Sequence, residues 1–418
     1  MGSFVDVAII GAGPYGLSVA AHLDGLGIDY RIFGKPMALW RDYMPPGMRL
    51  KSDGSSSDLA DPEDALTLKK FCAAEGLDHD DRTKPVPLAT FTAYGMAFQR
   101  RFVPRLEERM VTALERAPNG FALHLDRQEV MYARRVVVAI GVKAFTWLPE
   151  FLTGIDPEFV SHSSDYGSFD RLRGKEVLVM GAGASAIDTA GLLADHGIAA
   201  SLMTRRPGVE FHHPPGHRSL RNRLRAPYSG IGAGWQLRLF ADEPIAFHLL
   251  PERVRLKKAA TILGPSAGWF MKDSILGRVP IHGGTIPHVA TVKDGRLHIA
   301  ARTADGARRE LVTDHLIAGT GFRADLTRLD FLDGTLAQGI KSIHHAPVLS
   351  RHYESSVKGL YFIGPASLNS FGPVVRFVFG ARYAARRIAP HLAAALAHQP
   401  AAAMVRLPAA AARQPATR

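Results

Sequence analysis

Residues 5–16 read Val5-Asp6-Val7-Ala8-Ile9-Ile10-Gly11-Ala12-Gly13-Pro14-Tyr15-Gly16. The apolar run predicts a buried parallel strand, and the glycines predict a tight turn. Leu17, Val19, Ala20, Ala21 and Leu23 then fit one helix. In such a loop the first glycine permits the turn. The second lets the backbone approach a pyrophosphate, and the third lets helix and strand pack closely. The pyrophosphate meets the free N–H groups of the helix N-terminus. One GxGxxG is weak on its own, because glycine-rich turns are common. Here the unit recurs as Glu176-Val177-Leu178-Val179-Met180 followed by Gly181-Ala182-Gly183-Ala184-Ser185-Ala186. Two copies, each in strand–turn–helix context, make the signal specific.

The repeat extends outward. Each copy is followed by a short strand, Tyr30 to Phe33 and Ala200 to Met203. Each half then carries a β-meander punctuated by turn signals, Asn119-Gly120 in one, Asp294-Gly295 and Asp305-Gly306 in the other. Each meander leads to a strand ending in glycine, Val136 to Gly141 and Leu316 to Gly321. The expected fold is therefore α/β, with two nested Rossmann-like dinucleotide-binding domains, β-meanders and a helical insertion. The first domain is expected over 1–150 plus 312–390, completed by Tyr361-Phe362-Ile363-Gly364 onward. The second is expected over 151–311. An insertion at about 208–289, rich in Pro, Gly, Arg and His, is expected to flank a substrate entrance or to be a surface elaboration. The Ala/Pro-rich tail 391–418 is expected to be weakly ordered.

The two loops differ in chemistry. The second short strand ends Thr204-Arg205-Arg206, with no acid for a ribose 2′-hydroxyl and two guanidiniums for a 2′-phosphate, which argues for NADPH. The first ends Ile32-Phe33-Gly34-Lys35, so its ribose contact is left unassigned. Trp40 and Arg41 follow where a flavin pyrophosphate would be covered, and Trp40 fits a core position equally well.

Composition narrows the class. The chain has 418 residues, 51 Lys+Arg, 39 Asp+Glu and a net charge of +12. Its single cysteine, Cys72, excludes an intrachain disulfide and a dithiol pair. No run of about 18 apolar residues suggests a membrane span. The strand-like start leaves no room for a signal peptide. A soluble cytoplasmic protein is expected, without a membrane or nucleic-acid partner. The Arg205, Arg206, Arg218, Arg221, Arg223 and Arg225 cluster lacks aromatic interleaving. No metal site is expected, because His212, His213, His217, His344, His345 and His352 show no HExxH-type spacing. GxSxG is also absent.

Gly11 to Gly16, Leu39-Trp40-Arg41, Val138 to Gly141, His162 to Tyr166, Gly181 to Ala186 and Ala318 to Phe322 together resemble the flavin-containing monooxygenases, the single-component class that uses FAD and NADPH. A bacterial short-chain branch is similar through Ser370 to Phe377, and it resembles urate hydroxylases and amine N-hydroxylases. The resemblance implies FAD held by Gly11, Gly13, Pro14, Tyr15, Gly16, Trp40, Arg41, Gly141, Thr320, Gly321, Gly364 and Asn369. It implies NADPH held by Gly181, Gly183, Ala184, Ser185, Ala186, Arg205 and Arg206. The segment beside the flavin ring, where the family often has Asn, reads Lys51 to Ser57 here. Lys51, Ser52 and Asn369 are the candidate catalytic groups, with a turn-capping role open for Asn369. Arg376 is expected to face an anionic ligand or to form a surface ion pair. The implied reaction hydroxylates a small molecule with O2 through a C4a-hydroperoxyflavin, a nitrogen heterocycle such as urate or an amine being the candidate. An NADPH oxidase or flavin reductase is the alternative. The resemblance is compatible with a homodimer.

Overall fold

The computed structural model describes residues 3–214, 216 and 219–398. Five strands build most of the first sheet: β1 (Phe4–Ile10), β2 (Tyr30–Phe33), β3 (Val111–Ala117), β4 (Gly120–Leu125) and β5 (Val130–Val138). β1 runs parallel between β2 and β5, with Ile10 level with Phe33 on one side and Val138 on the other. Val7, Ala8 and Ile9 are wholly buried. Helices cover both faces, so the strand is apolar without alternation. β5 is also the third strand of the antiparallel meander. The late strand Leu360–Phe362 pairs parallel with the end of β5, which brings the C-terminal segment home to the first sheet.

The second sheet is parallel. β6 (Val160–His162), β7 (Glu176–Met180) and β8 (Ala199–Met203) are joined by His315–Ala318 and Ile281–His282. A three-stranded antiparallel meander, Thr285–Lys293, Arg296–Thr303 and Arg308–Thr313, lies beside it.

Three boundaries differ from expectation. Strand His315–Ala318 pairs with both β7 and β6, so 315–318 belong to the second sheet and 312–313 to the meander beside it, rather than to the first domain. The insertion ends before Ile281, because Ile281–His282 extends the second sheet beyond β8 and Thr285 opens the meander. Residues 391–397 are the end of a helix, Gly380–Ala397. Its Ala384, Ala385, Ile388 and Leu392 are buried in the first core, which anchors an alanine-rich stretch that reads as weak on composition alone. The remainder of the expected tail, and His217 and Arg218, lie outside the described residues.

The insertion contains the helices Leu220–Arg225, Trp235–Asp242, Pro244–His248 and Glu252–Thr261. Phe240, Phe247 and Ala259 form its small core, against which Leu368 of the C-terminal segment packs. Trp235 is exposed. No described helix is long and apolar enough to cross a membrane.

Candidate active site

The first glycine loop is shaped by clashes that only glycine avoids. Gly11 has φ +114°, and a Cβ there would stand 2.3 Å from the Ala139 carbonyl oxygen. A Cβ on Gly16 would stand 1.9 Å from the Gly11 oxygen, so helix and turn are in backbone contact. At Gly13 a Cβ would meet no atom within 4 Å. Gly13 caps the helix Pro14–Gly25 with no side-chain hydrogen bond. Free N–H groups and open space therefore coincide where an anion is favoured. The second loop is similar, with Gly183 at the uncapped start of the helix Ala184–Asp195, where a Cβ would make only an ordinary contact with Pro265 at 3.8 Å. Both loops thus fit a dinucleotide pyrophosphate.

One cavity of about 980 Å³ connects the two loops. Pro14, Tyr15, Trp40, Lys51, Ser52 and Gly141 line it from the first domain. Gly181, Gly183, Ala184, Ser185, Arg205, Arg206, Thr320 and Gly321 line it from the second. Ala260, Leu263, Gly264 and Pro265 bring the insertion to its wall, the position expected of an entrance. Trp40 lines the cavity and packs edge-on to Phe91 at 4.8 Å.

Several expected residues lie elsewhere. Gly11, Gly13, Gly16 and Ala186 shape the loops without lining the cavity, and Ala186 is fully buried. Arg41 turns away to the Pro36 carbonyl at 3.2 Å. Gly364 lies under the Tyr15 ring. Asn369 is outside the lining, and its amide donates to the Ile343 carbonyl at 3.3 Å, a structural bond. Its neighbour Leu368 reaches the cavity instead. Among the described residues Arg376 makes no ion pair of the kind anticipated for a surface position. It lines the cavity and donates to the carbonyls of Ala259 (2.5 Å) and Ile262 (3.4 Å), at the end of an insertion helix. A cation there meets the negative end of that helix.

The Tyr15 hydroxyl lies 2.9 Å from the Phe377 carbonyl oxygen, tying the first loop to the C-terminal segment. His162 braces neighbouring strand ends within the second sheet. Its Nε2 donates to the Gly321 carbonyl at 3.0 Å, while Nδ1 accepts from the Ser164 backbone N–H. The link to the first sheet comes from its neighbours: Asp165 pairs with Lys143, and the Tyr166 N–H donates to the Tyr43 carbonyl at 3.3 Å. The His162 to Tyr166 stretch is therefore a strut between the sheets.

Asp188 escapes sequence reading, because one acid inside an apolar helix looks like a solvated face. It lines the cavity at only 7 % exposure, and its Oδ1 has no hydrogen-bond partner. Burial pushes its carboxyl up to about 7, against the opposing pull of Lys51. Lys51 donates to the Ser266 carbonyl at 2.8 Å and to the Ser266 hydroxyl at 3.1 Å. Desolvation lowers its ammonium, and Asp188 partly offsets this. The folded-state value of Asp188 is raised, so the neutral acid is the form that folding tolerates. Its stability contribution is intact below about pH 4 and lost as pH rises through 7. Asp188→Asn is expected to be close to neutral in thermal unfolding at pH 4. At pH 8 it should stabilise by a few kcal/mol at most, on the order of the linkage limit. A variant less stable than wild type at pH 8 would contradict the unpaired-carboxylate assignment.

Comparison with known proteins agrees with this geometry. Residues 8–228 match the pyridine nucleotide-disulphide oxidoreductase family. The chain is 27% identical over 349 residues to indole-3-pyruvate monooxygenase YUCCA1 of Oryza sativa subsp. japonica, covering 76% of this chain and 77% of that one. It is 30% identical over 239 residues to the FAD-dependent urate hydroxylase of Xanthomonas campestris pv. campestris, covering 52% and 48%. The fold superposes on the ornithine N-hydroxylase of Kutzneria sp. 744 with a TM-score of 0.74 at 16% identity, over 94% of this chain and all of that one. The dithiol chemistry in the family's name needs two cysteines, and Cys72 is single and buried. The chain belongs to the pyridine nucleotide-disulphide oxidoreductase family, as one of its flavin-dependent monooxygenases.

Proposed function

We propose that the protein binds FAD on the first loop and NADPH on the second, and hydroxylates a small nitrogen-containing molecule, an amine or a heterocycle such as urate. The single observation that carries this reading is the continuous cavity joining both loops. Its wall is mostly apolar, with Asp188 as the charged acid and Arg49, Lys51, Arg205, Arg206 and Arg376 as the cations. FAD, when bound, supplies the route for electrons from NADPH to dioxygen. The chain's own residues orient and enclose. Pro14 to Gly16 would seat the flavin pyrophosphate, with Trp40 and Gly141 beside it. Ala184 and Ser185 would seat the nicotinamide coenzyme, and Arg205 would take its 2′-phosphate. Met44, Met48, Phe145, Leu263 and Phe377 shield the centre from water, which suppresses loss of oxygen as peroxide. A nitrogen-bearing substrate is supported by the buried Asp188 acceptor and by the urate hydroxylase and ornithine N-hydroxylase likenesses.

The test is NADPH oxidation by the flavin-loaded protein across amines, purines, sulfides and ketones. A nitrogen compound is expected to accelerate oxidation, with less peroxide released than NADPH consumed. Peroxide equal to NADPH with every compound would instead identify an NADPH oxidase.

A further inference from the structure

A monooxygenase turnover takes NADPH, one proton, O2 and substrate to NADP+, water and oxygenated substrate. One proton per turnover must therefore enter the cavity from solvent. Lys51 stands on the cavity wall, half-buried. Its ammonium donates to the Ser266 hydroxyl at 3.1 Å, and that oxygen lies 2.6 Å from Nε2 of His212. His212 is exposed. The segment is held in register, because the His212 N–H donates to the Ala267 carbonyl and the Ala267 N–H to the Glu210 carbonyl, both at 2.9 Å.

We propose that Lys51, Ser266 and His212 form a proton-delivery chain running from solvent to the cavity wall. It rests on the reading of the cavity as the place where oxygen chemistry occurs. The bookkeeping of protons closes. Lys51 releases an ammonium proton into the cavity, where it ends in the product water. The resulting amine takes the Ser266 hydroxyl proton, Ser266 takes the Nε2 proton of a protonated His212, and His212 is recharged by solvent. The arrangement left behind has Lys51 donating to Ser266 and Ser266 donating to a neutral His212, which the 3.1 Å and 2.6 Å spacings accommodate. The charged groups bearing on the chain are Asp188, which faces Lys51, and His213, which adjoins His212; Lys51 also acts on His212. Burial lowers both the Lys51 ammonium and the His212 imidazolium, so each gives up its proton more readily than it would in water.

Ser266→Ala cuts the chain while leaving the Ser266 carbonyl that holds Lys51. In the flavin-loaded enzyme the maximal NADPH oxidation rate at pH 8 should fall at least about tenfold, a modest part of the roughly 10²–10⁴ available to positioned proton transfer. NADP+ affinity should not change. Ser266→Thr should restore the rate, and imidazole added to the buffer should rescue Ser266→Ala but not wild type. A second readout needs no turnover. In the resting holoenzyme, the His212 ring followed by NMR should titrate higher after Lys51→Met, because a neighbouring cation is gone. A Ser266→Ala enzyme with the wild-type pH–rate profile and no imidazole response would overturn the proposal, as would a His212 titration indifferent to Lys51. The outcome is separable from substrate identity: peroxide-forming turnover also consumes one proton per NADPH, so the rate test stands even if no oxygenated product forms.

Discussion

Gly13→Val is expected to yield a folded protein that purifies without flavin. A Cβ at Gly13 meets nothing within 4 Å, so the polypeptide itself has room for the side chain. That room adjoins the uncapped start of the helix Pro14–Gly25, where a pyrophosphate would sit. A valine there takes the ligand's space and covers the N–H groups. Thermal unfolding of the apoprotein should stay close to wild type, while FAD absorbance is lost. Gly16→Val provides the contrast. Its Cβ would stand 1.9 Å from the Gly11 backbone oxygen, so helix and turn must separate. That variant should lose the fold along with the flavin, as a clash with backbone in a buried core has no cheap relief. A yellow Gly13→Val protein, or a Gly16→Val protein as stable as Gly13→Val, would break the link between loop geometry and FAD.

The contrast shows what the sequence makes legible. Glycine spacing after an apolar run specifies a backbone shape, and the structure has that shape at Gly11–Gly16 and again at Gly181–Ala186. Arg205 and Arg206 were legible because they follow a strand whose end position is set by the same repeat. Strand His315–Ala318 was recognisable as a strand, but its sheet was not. Apolar runs record burial and carry no address of their neighbours, so the domain boundary fell short of it. Asn369 and Arg41 have the right chemistry near the right place. Their orientation depends on tertiary partners, the Ile343 and Pro36 carbonyls, which no local pattern encodes. The Lys51–Ser266–His212 chain was unreadable for a similar reason. Its members lie up to 215 residues apart and meet only because the insertion folds over the first domain.

Arg205→Ala is expected to weaken NADPH binding by roughly 10- to 100-fold, as the loss of a charge-assisted bond of about 1.5–3 kcal/mol implies. NADH binding should be nearly unchanged. The structure separates the two neighbouring arginines. Arg206 pairs with Glu210 at 3.0 Å, which occupies part of its guanidinium. Arg205 lines the cavity, is exposed and has no acidic partner among the described residues. It follows β8, on the helix Ala184–Asp195 side of the second loop, where a ribose phosphate would arrive. Arg206→Ala should therefore cost less than Arg205→Ala, because Glu210 already occupies part of the Arg206 guanidinium, and the repulsion of a phosphate by the freed Glu210 is weak through solvent. Dissociation constants for both coenzymes, measured by fluorescence titration at two salt concentrations, decide the point. Equal losses for NADPH and NADH in Arg205→Ala would remove the phosphate contact from that residue. A larger loss in Arg206→Ala would move it to the next position, with Glu210 displaced on binding.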